Sequence, residues 1–129
     1  MQTSKKATIL LVDDAPESRI LAKWFFSTFG YTVHSAASAE EALACFDPAL
    51  HALVLTDNCM PGMNGAEMAL IIKGKSPSTP IVMFSGNPPS NPAGVDVVIQ
   101  KPQHLLSVKE TMDALLASPR AQAVCAALP

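Results

Sequence analysis

Short apolar runs, bounded by polar or turn-forming residues, recur along the chain. Each run is about four to six residues long, which is too short to span a bilayer and is typical of strands buried in a parallel sheet. The pattern predicts five such strands. Their expected bounds are Thr8–Val12, Tyr31–Ala36, Ala52–Thr56, Ile81–Phe84 and Val95–Gln100.

Helical segments are predicted between these strands, with a final helix after the fifth strand. Ser38 and Glu41 form a Ser-x-x-Glu capping box at the start of one helix, and Ser107 and Glu110 form a second. Strands that alternate with helices favour a parallel sheet covered on both faces, so we expect a doubly wound five-stranded α/β domain. The expected helices run from Pro16 to about Phe29, Ser38 to Phe46, Ala66 to about Lys73, and Ser107 to about Ser118.

The alternation is interrupted between the fourth and fifth strands. Pro88, Pro89 and Pro92 all fall within residues 86–94. Proline lacks the N–H that a helix interior needs, and its ring clashes with the preceding turn. We therefore expect the fourth helix of the pattern to be shortened or missing.

The length of the chain, 129 residues, suits one domain. A domain of this size buries about two thirds of the surface that its unfolded chain exposes, so it needs no metal or disulfide to hold its core. We expect this domain over residues 1–118, starting with a polar stretch through Lys6. Residues 119–129 form an Ala-rich tail that either extends the last helix or lies apart from it.

The charge balance argues against a direct nucleic-acid partner. Nine Lys and Arg residues against eleven Asp and Glu residues give a net charge of −2, and no basic run marks a binding arm. No charged stretch followed by a long apolar one opens the chain, so we expect no signal peptide, no membrane insertion and a cytoplasmic location. Cys45, Cys59 and Cys125 lack the spacing of metal ligands and are expected to be reduced thiols.

Five polar residues follow or end the predicted strands: Asp13, Asp14, Asp57, Ser85 and Lys101. The carboxyl ends of parallel strands meet at one edge of a sheet, where open α/β folds bind their ligands. Three carboxylates in one pocket oppose each other's ionisation unless a cation neutralises them, and Mg²⁺ is a hard ion that takes oxygen ligands. Each residue alone could be a helix cap, a turn hydroxyl or a solvated charge, but that explanation places all five at strand ends by accident.

The same residues belong to motifs by which the sequence resembles the receiver domain of two-component response regulators, over about residues 7–118. Any one of these motifs alone is a weak signal, whereas the set in this order at strand ends is specific. The motifs are Asp13-Asp14, Asp57-x-x-Met60-Pro61-x-Met63-x-Gly65, Ser85-Gly86 and Lys101-Pro102.

The resemblance implies a flavodoxin-like fold and a role for each residue of the metal site. Asp57 corresponds to the phospho-acceptor, whose carboxylate attacks phosphorus to give an acyl phosphate. Asp14 and Asp57 are expected to bind Mg²⁺ together with the backbone carbonyl of Cys59, while Asp13 holds the ion largely through water. Cys59 itself is expected to influence the lifetime of the phosphoryl group.

Two further residues are expected to contact the phosphoryl group. The Lys101 ammonium and the Ser85 hydroxyl, together with Mg²⁺, would neutralise charge on its equatorial oxygens. In the family, the peptide bond between the strand 5 lysine and the following proline is typically cis, so the Lys101–Pro102 bond is expected to be cis.

The implied function is signalling rather than enzymatic turnover. The phosphoryl group would come from a histidine kinase or a histidine phosphotransfer protein, and the only catalysis expected is self-catalysed phosphotransfer and autodephosphorylation. A weak homodimer remains open. A stand-alone regulator, a phosphorelay intermediate and a fragment of a hybrid kinase or larger regulator all fit the sequence.

Two features depart from the family pattern. Val98 occupies the position where receivers usually carry Tyr or Phe, and residues 86–94 are short and rich in proline. We expect output through another surface, such as the first helix, or phosphorylation without a conformational output. An inactive pseudo-receiver that serves as a docking module is the alternative. In the first helix, core packing is expected to account for most of the aromatic residues, and an exposed remainder could dock a kinase.

Two functions from other classes fit the sequence less well. A flavin-binding electron carrier of the same architecture needs a phosphate-binding loop after the first strand, where Asp13 and Asp14 would repel an anion. A phosphatase with an aspartate nucleophile typically has an acid two residues after the nucleophile, and here that residue is Cys59.

Overall fold

The computed structural model describes residues 7–117. Within this range the five strands form one sheet of order β2-β1-β3-β4-β5, and every neighbouring pair is parallel. This order is that of the flavodoxin-like doubly wound fold, so the predicted fold class is confirmed. The strands are β1 (Thr8–Val12), β2 (Thr32–Ala36), β3 (His51–Thr56), β4 (Ile81–Ser85) and β5 (Val97–Gln100).

Helices cover both faces of the sheet and divide the core into two clusters. The helices are α1 (Pro16–Thr28), α2 (Ala39–Cys45), α3 (Gly65–Lys75) and α4 (Leu105–Leu116). Alternate side chains of a strand point to opposite faces, so Ile9 and Leu11 of β1 pack with α1 and α4, whereas Leu10 and Val12 pack with α2 and α3. This two-sided burial explains the uninterrupted apolar runs of the central strands.

In the described part of the chain, no helix lies between β4 and β5. The intervening segment contains Asn91 with a φ of 50°, and Gly94 packs so closely on α3 that an added Cβ would lie 3.3 Å from the backbone of Ala69. After this segment, the Asp96 carboxylate accepts a hydrogen bond from the Ile81 N–H and forms an ion pair with Lys73, both at 2.7 Å. The expected loss of the fourth helix is confirmed.

Two predicted boundaries in the last part of the chain were wrong. The final helix begins at Leu105 rather than Ser107, so the proposed Ser107 capping box lies inside the helix, and His104 is the N-cap without a side-chain bond. Strand β5 begins at Val97 rather than Val95. Its pairing starts after Asp96, whose carboxylate rather than a strand carbonyl accepts the Ile81 N–H.

The capping box predicted for α2 forms with a small change. The Ser38 hydroxyl accepts the Glu41 N–H at 3.0 Å, but the Glu41 carboxylate accepts the N–H of Ala37 rather than that of Ser38. The hydroxyl bond satisfies one of the amide donors that a helix N-terminus leaves unpaired.

Helix α1 buries one aromatic ring and exposes another. Phe26 is fully buried, whereas Trp24 is 65% exposed beside Ile20 and Leu21, which are 68% and 56% exposed. We call Ile20, Leu21 and Trp24 the α1 apolar surface, since their spacing places them on one side of the helix. An exposed aromatic residue on the first helix agrees with the sequence analysis. Core packing accounts for fewer of the aromatic residues than expected, since Phe25 is only partly buried and Phe29 is 39% exposed.

Some predictions concern residues beyond the described range. The polar start through Lys6, the end of the last helix at Ser118, Cys125 and the tail over residues 119–129 all lie outside residues 7–117, so these expectations stay predictions. None of the helices within residues 7–117 has the length and hydrophobicity that a membrane span requires.

Candidate functional site

The carboxyl edge of the sheet brings the predicted site residues together. Strands β1 and β3 are neighbours, and the Asp57 N–H donates to the carbonyl of Val12 at 3.0 Å, which aligns the two strand ends. After β1 the chain runs to α1 on one face of the sheet, whereas after β2 and β3 it runs to α2 and α3 on the other face. Such a switch point leaves a crevice at the carboxyl ends of the strands, where open sheets bind ligands. Asp13, Asp14 and Asp57 border this crevice.

These three carboxylates form one cluster. Each offers an oxygen, and these oxygens all lie within 4.8 Å of one another. Asp13 is buried, Asp57 is partly buried and Asp14 is exposed. Burial raises the pKa of Asp13 above its usual value, and the charges of Asp57 and Asp14 raise it further against the opposing effects of Lys101 and the Ala15 N–H. Burial is thus the largest cause of the shift, and the two neighbouring carboxylates add to it.

The Asp57 side chain makes a hydrogen bond and an ion pair. The Asn58 N–H donates to Oδ1 at 2.6 Å, and the Lys101 ammonium lies 3.5 Å from Oδ2. The Lys101 Nζ also lies 5.2 Å from the centre of the Phe84 ring, a favourable position for a cation over an aromatic face. Asp57 thus presents a carboxylate that is held by the Asn58 amide and lies beside the Lys101 ammonium.

Lys101 reaches the crevice from the end of β5. Its backbone N–H donates to the Ser85 carbonyl at 2.9 Å, which joins the ends of β4 and β5. The Lys101–Pro102 peptide bond is cis, as expected.

Ser85 and Cys59 lie at the same edge with other partners. Ser85 is buried, and its hydroxyl accepts the Asn87 N–H at 3.3 Å; within residues 7–117 it makes no hydrogen bond to Asp57. The Cys59 thiol is exposed and lies 3.9 Å from the Asn87 carbonyl. Both residues therefore contact the segment that replaces the fourth helix.

Asn58 joins the two ends of the loop between β3 and α3. The sequence analysis did not identify this role of Asn58. Its carbonyl accepts the Gly65 N–H and its side-chain oxygen accepts the Ala66 N–H, both at 3.0 Å. The next turn is fixed by a reciprocal capping box between Asn64 and Glu67. The Asn-x-x-Glu spacing was visible in the sequence and would have placed the start of α3 correctly.

Arg19 is a second residue that the sequence reasoning missed. Its guanidinium donates to the backbone carbonyl of Asp13 at 2.7 Å. A side chain of α1 therefore holds the backbone of Asp13 in place. An arginine within an amphipathic helix is usually a solvated surface charge, and no local sequence pattern set Arg19 apart from that case.

A cavity of about 320 Å³ opens beside the carboxylate cluster. Its lining includes the charged residues Asp13, Asp57 and Lys101. Apolar side chains such as Leu21, Phe84 and Leu105 also line it. The cavity thus combines charged and apolar lining residues.

The donor set fits Mg²⁺. The three acidic side chains offer only hard oxygen ligands, and such ligands suit Mg²⁺ in sites that also handle phosphate. The geometry therefore brings three carboxylates and an ammonium group together at one place.

Comparison with curated proteins finds sensor kinases among the relatives. The chain is 30% identical to the autoinducer 1 sensor kinase/phosphatase LuxN of Vibrio harveyi over 96% of its length, and 29% identical to the sensor protein EvgS of Escherichia coli over 86%. It spans only 15% and 10% of the lengths of those proteins. The similarity is therefore to one part of each kinase.

Comparison with solved structures finds receiver proteins of similar size. The response regulator TrrA of Thermotoga maritima, solved in complex with Mg²⁺ and BeF, matches with a TM-score of 0.79 and 30% identity, over 86% of this chain and all of that one. A CheY-like receiver domain protein of Methanospirillum hungatei matches with a TM-score of 0.81 and 28% identity, over 88% of this chain and 94% of that one.

A family model described as the response regulator receiver domain matches residues 9–115. The matched range includes all four helices nearly complete and all the site residues named above, from Asp13 to Lys101. The chain therefore belongs to the response regulator receiver domain family.

Proposed function

We propose that the protein accepts a phosphoryl group on Asp57, with Mg²⁺ bound, from a histidine kinase or a histidine phosphotransfer protein. The observation that carries the proposal is the position of the Asp57 carboxylate, clustered with Asp13 and Asp14 and 3.5 Å from the Lys101 ammonium. Receiver domains are signalling domains, and the proposal includes no turnover of a separate substrate beyond hydrolysis of the acyl phosphate.

Asp57 acts as the nucleophile. The Asn58 amide holds Oδ1 and thereby fixes the orientation of the carboxylate. A carboxylate oxygen attacks phosphorus, the bond from phosphorus to the donor's imidazole nitrogen breaks, and the imidazole leaves with the electron pair. Positioning and charge neutralisation are what such transfers require.

The other pocket residues hold the cation and neutralise charge. Asp14, Asp57 and the Cys59 backbone carbonyl would bind Mg²⁺ directly, and Asp13 largely through water. When bound, Mg²⁺ would neutralise negative charge on the phosphoryl oxygens. Lys101 already lies beside Asp57 and contributes a second positive charge.

Ser85 would complete the contacts with the phosphoryl group. Its hydroxyl presently accepts the Asn87 N–H at 3.3 Å, a long and therefore weak bond. Exchange of this bond for one to a phosphoryl oxygen turns the hydroxyl from acceptor into donor.

The α1 apolar surface is the proposed docking site of the phosphodonor protein. It borders the crevice, since Leu21 also lines the cavity beside Asp57 and Lys101. Exposed aromatic residues are enriched at protein interfaces, and Trp24 is 65% exposed here. Similarity to LuxN and EvgS, which are named as sensor kinases, supports a kinase partner.

We also propose a cytoplasmic location. Cys45 and Cys59 are free thiols, which agrees with a reducing compartment. The receiver domain is proposed to extend over residues 1–118, slightly beyond the range of the family match.

A docking module that is never phosphorylated is the second candidate. It is favoured by the absence of a helix between β4 and β5 in the described chain, and by Val98, which offers no ring to report the state of the site. Beryllofluoride, a mimic of the phosphoryl group, separates the two. With Mg²⁺ and beryllofluoride, an active receiver should show a higher thermal unfolding midpoint, because a ligand that binds only the native state stabilises it. Asp57→Asn should remove the increase, and no increase in the wild-type protein would favour the docking module.

A further inference from the structure

Glu40, in the first turn of α2, contacts the loop that joins β3 to α3. Its Oε2 accepts a hydrogen bond from the Met63 N–H at 3.1 Å. Met63 follows Glu40 by 23 positions, so the bond ties two elements that are distant along the chain. The loop, residues 57–64, carries Asp57 at its start and Cys59 two residues later.

The loop is fixed at its base by other residues. Asn58 accepts the Gly65 and Ala66 N–H groups, which holds the beginning of the loop to the beginning of α3. Cys59 lies between this anchor and the bond from Met63 to Glu40. The placement of the Cys59 backbone therefore depends on both ends of the segment.

Gly62 lets the Glu40 carboxylate approach the loop. Its φ is +78°, and a Cβ at this position would lie 2.8 Å from the Glu40 Oε2. A side chain at position 62 would therefore displace the carboxylate from its place. The hydrogen bond from Met63 and one from the Glu40 N–H lower the pKa of Glu40, so the group is ionised at neutral pH.

We propose that Glu40 is a positioning residue for cation binding, which fixes the loop and hence the Cys59 backbone carbonyl at the carboxylate cluster. The inference rests on the proposed function, because the position of this carbonyl matters only if a cation is bound there. Residues that orient metal ligands from outside the coordination sphere commonly change affinity when they are replaced.

Two substitutions of Glu40 distinguish the effect of side-chain length from the effect of charge. Glu40→Gln keeps the length of the side chain and an acceptor oxygen but loses the charge. Glu40→Asp keeps the charge but is one methylene shorter and cannot reach Met63. Mg²⁺ binding to both variants and to the wild-type protein is measured by calorimetry. Exchange of the Met63 amide hydrogen without Mg²⁺ is measured by NMR, as a readout of the hydrogen bond itself.

We expect Glu40→Gln to bind Mg²⁺ within about twofold of the wild-type protein, and Glu40→Asp to bind at least about threefold more weakly. Met63 should exchange faster in Glu40→Asp only. Glu110→Ala, which removes an exposed carboxylate of α4, controls for net charge and should leave affinity within about twofold.

Equal affinity of Glu40→Asp and the wild-type protein would overturn the inference while leaving the proposed function intact. Weaker binding by Glu40→Gln together with normal binding by Glu40→Asp would also overturn it, since charge rather than the hydrogen bond would then be responsible. No Mg²⁺ binding by the wild-type protein would contradict the proposed function and this inference with it.

Discussion

Gly65 packs directly against the backbone of Asp57. A Cβ at Gly65 would overlap the Asp57 carbonyl oxygen and lie 3.1 Å from the Asn58 Cα. The first residue of α3 can approach the end of β3 this closely because it has no side chain. The position of Asp57, the proposed phospho-acceptor, is thereby coupled to the start of a helix eight residues later.

Gly65→Ala should destabilise the protein and lower its affinity for Mg²⁺. The added methyl group meets backbone rather than a flexible side chain, so either α3 or Asp57 must move. We expect a loss of about 1–3 kcal/mol in the free energy of unfolding, as for other overpacked positions. Urea unfolding and Mg²⁺ titration measure the two effects.

Gly74 provides the matched control in the same helix. A Cβ there would meet nothing within 4 Å, and alanine is favoured over glycine in helices by about 0.5–1 kcal/mol. Gly74→Ala should therefore stabilise the protein and leave Mg²⁺ affinity unchanged. The same loss of stability in both variants would contradict the packing argument.

His51 is buried and held in one tautomer. Its Nδ1 accepts the Asp47 N–H at 3.0 Å, so we assign the proton to Nε2, which lies 3.0 Å from the His34 Nδ1. Burial lowers the pKa of His51 below its usual value; the neighbouring His34 lowers it further, and Asp47 opposes the shift.

The stability of the protein should fall in mild acid because of His51. Its folded pKa is below the unfolded value of about 6.5, so the unfolded chain takes up the proton first as the pH falls. The contribution is fully present above that value and is lost as the pH decreases toward the folded pKa. His51→Gln should flatten the dependence of unfolding free energy on pH between about pH 7 and 5, whereas His104→Gln, at an exposed position, should retain the wild-type slope.

Trp24→Ala should slow phosphotransfer from a protein donor but not from a small one. If the α1 apolar surface docks the donor, loss of a large exposed ring should reduce the transfer rate from a phosphorylated histidine kinase by about tenfold or more. The rate with acetyl phosphate should stay unchanged. Leu106→Ala removes another exposed apolar side chain, 47% exposed on α4, and should affect neither rate. An equal effect on both donors would indicate damage to the site instead of lost docking.

Phosphorylation should leave the backbone between β4 and β5 nearly unchanged. Val98 cannot swing a ring, and the segment over residues 86–94 is held by Gly94 on α3 and by the Asp96 carboxylate on Ile81. Structures with and without Mg²⁺ and beryllofluoride should therefore superpose closely outside Ser85 and its neighbours. A large rearrangement of residues 86–94 would show that the protein retains a conformational output.

The five strands and the location of the site were predictable from the apolar runs and the residues at their ends, whereas the flavodoxin-like arrangement of the strands was implied by the family resemblance. Apolar runs such as Leu10–Val12 define central strands, and the acidic residues directly after β1 and β3 must share an edge once the strands are parallel. The prolines at 88, 89 and 92 similarly excluded a helix with no reference to the rest of the fold.

Details set by individual side-chain contacts could not be predicted from periodic sequence patterns. The start of β5 depends on Asp96 reaching Ile81, and the backbone of Asp13 depends on Arg19. Neither pair forms a recognised sequence pattern, whether the two residues are six positions apart, as Asp13 and Arg19 are, or 15, as Ile81 and Asp96 are. The Ser107 prediction failed because a capping motif can also occur inside a helix, and only the observed start at Leu105 distinguishes the two cases.

The most direct test of phosphorylation at Asp57 is the intact-protein mass after incubation with Mg²⁺ and acetyl phosphate. Samples quenched over a range of times are compared with Asp57→Asn and with wild-type protein whose metal has been chelated. We predict the addition of one phosphoryl group to the wild-type protein and none in either control. A wild-type mass that stays unchanged even in rapidly quenched samples, or an adduct that persists in Asp57→Asn, would contradict the assignment.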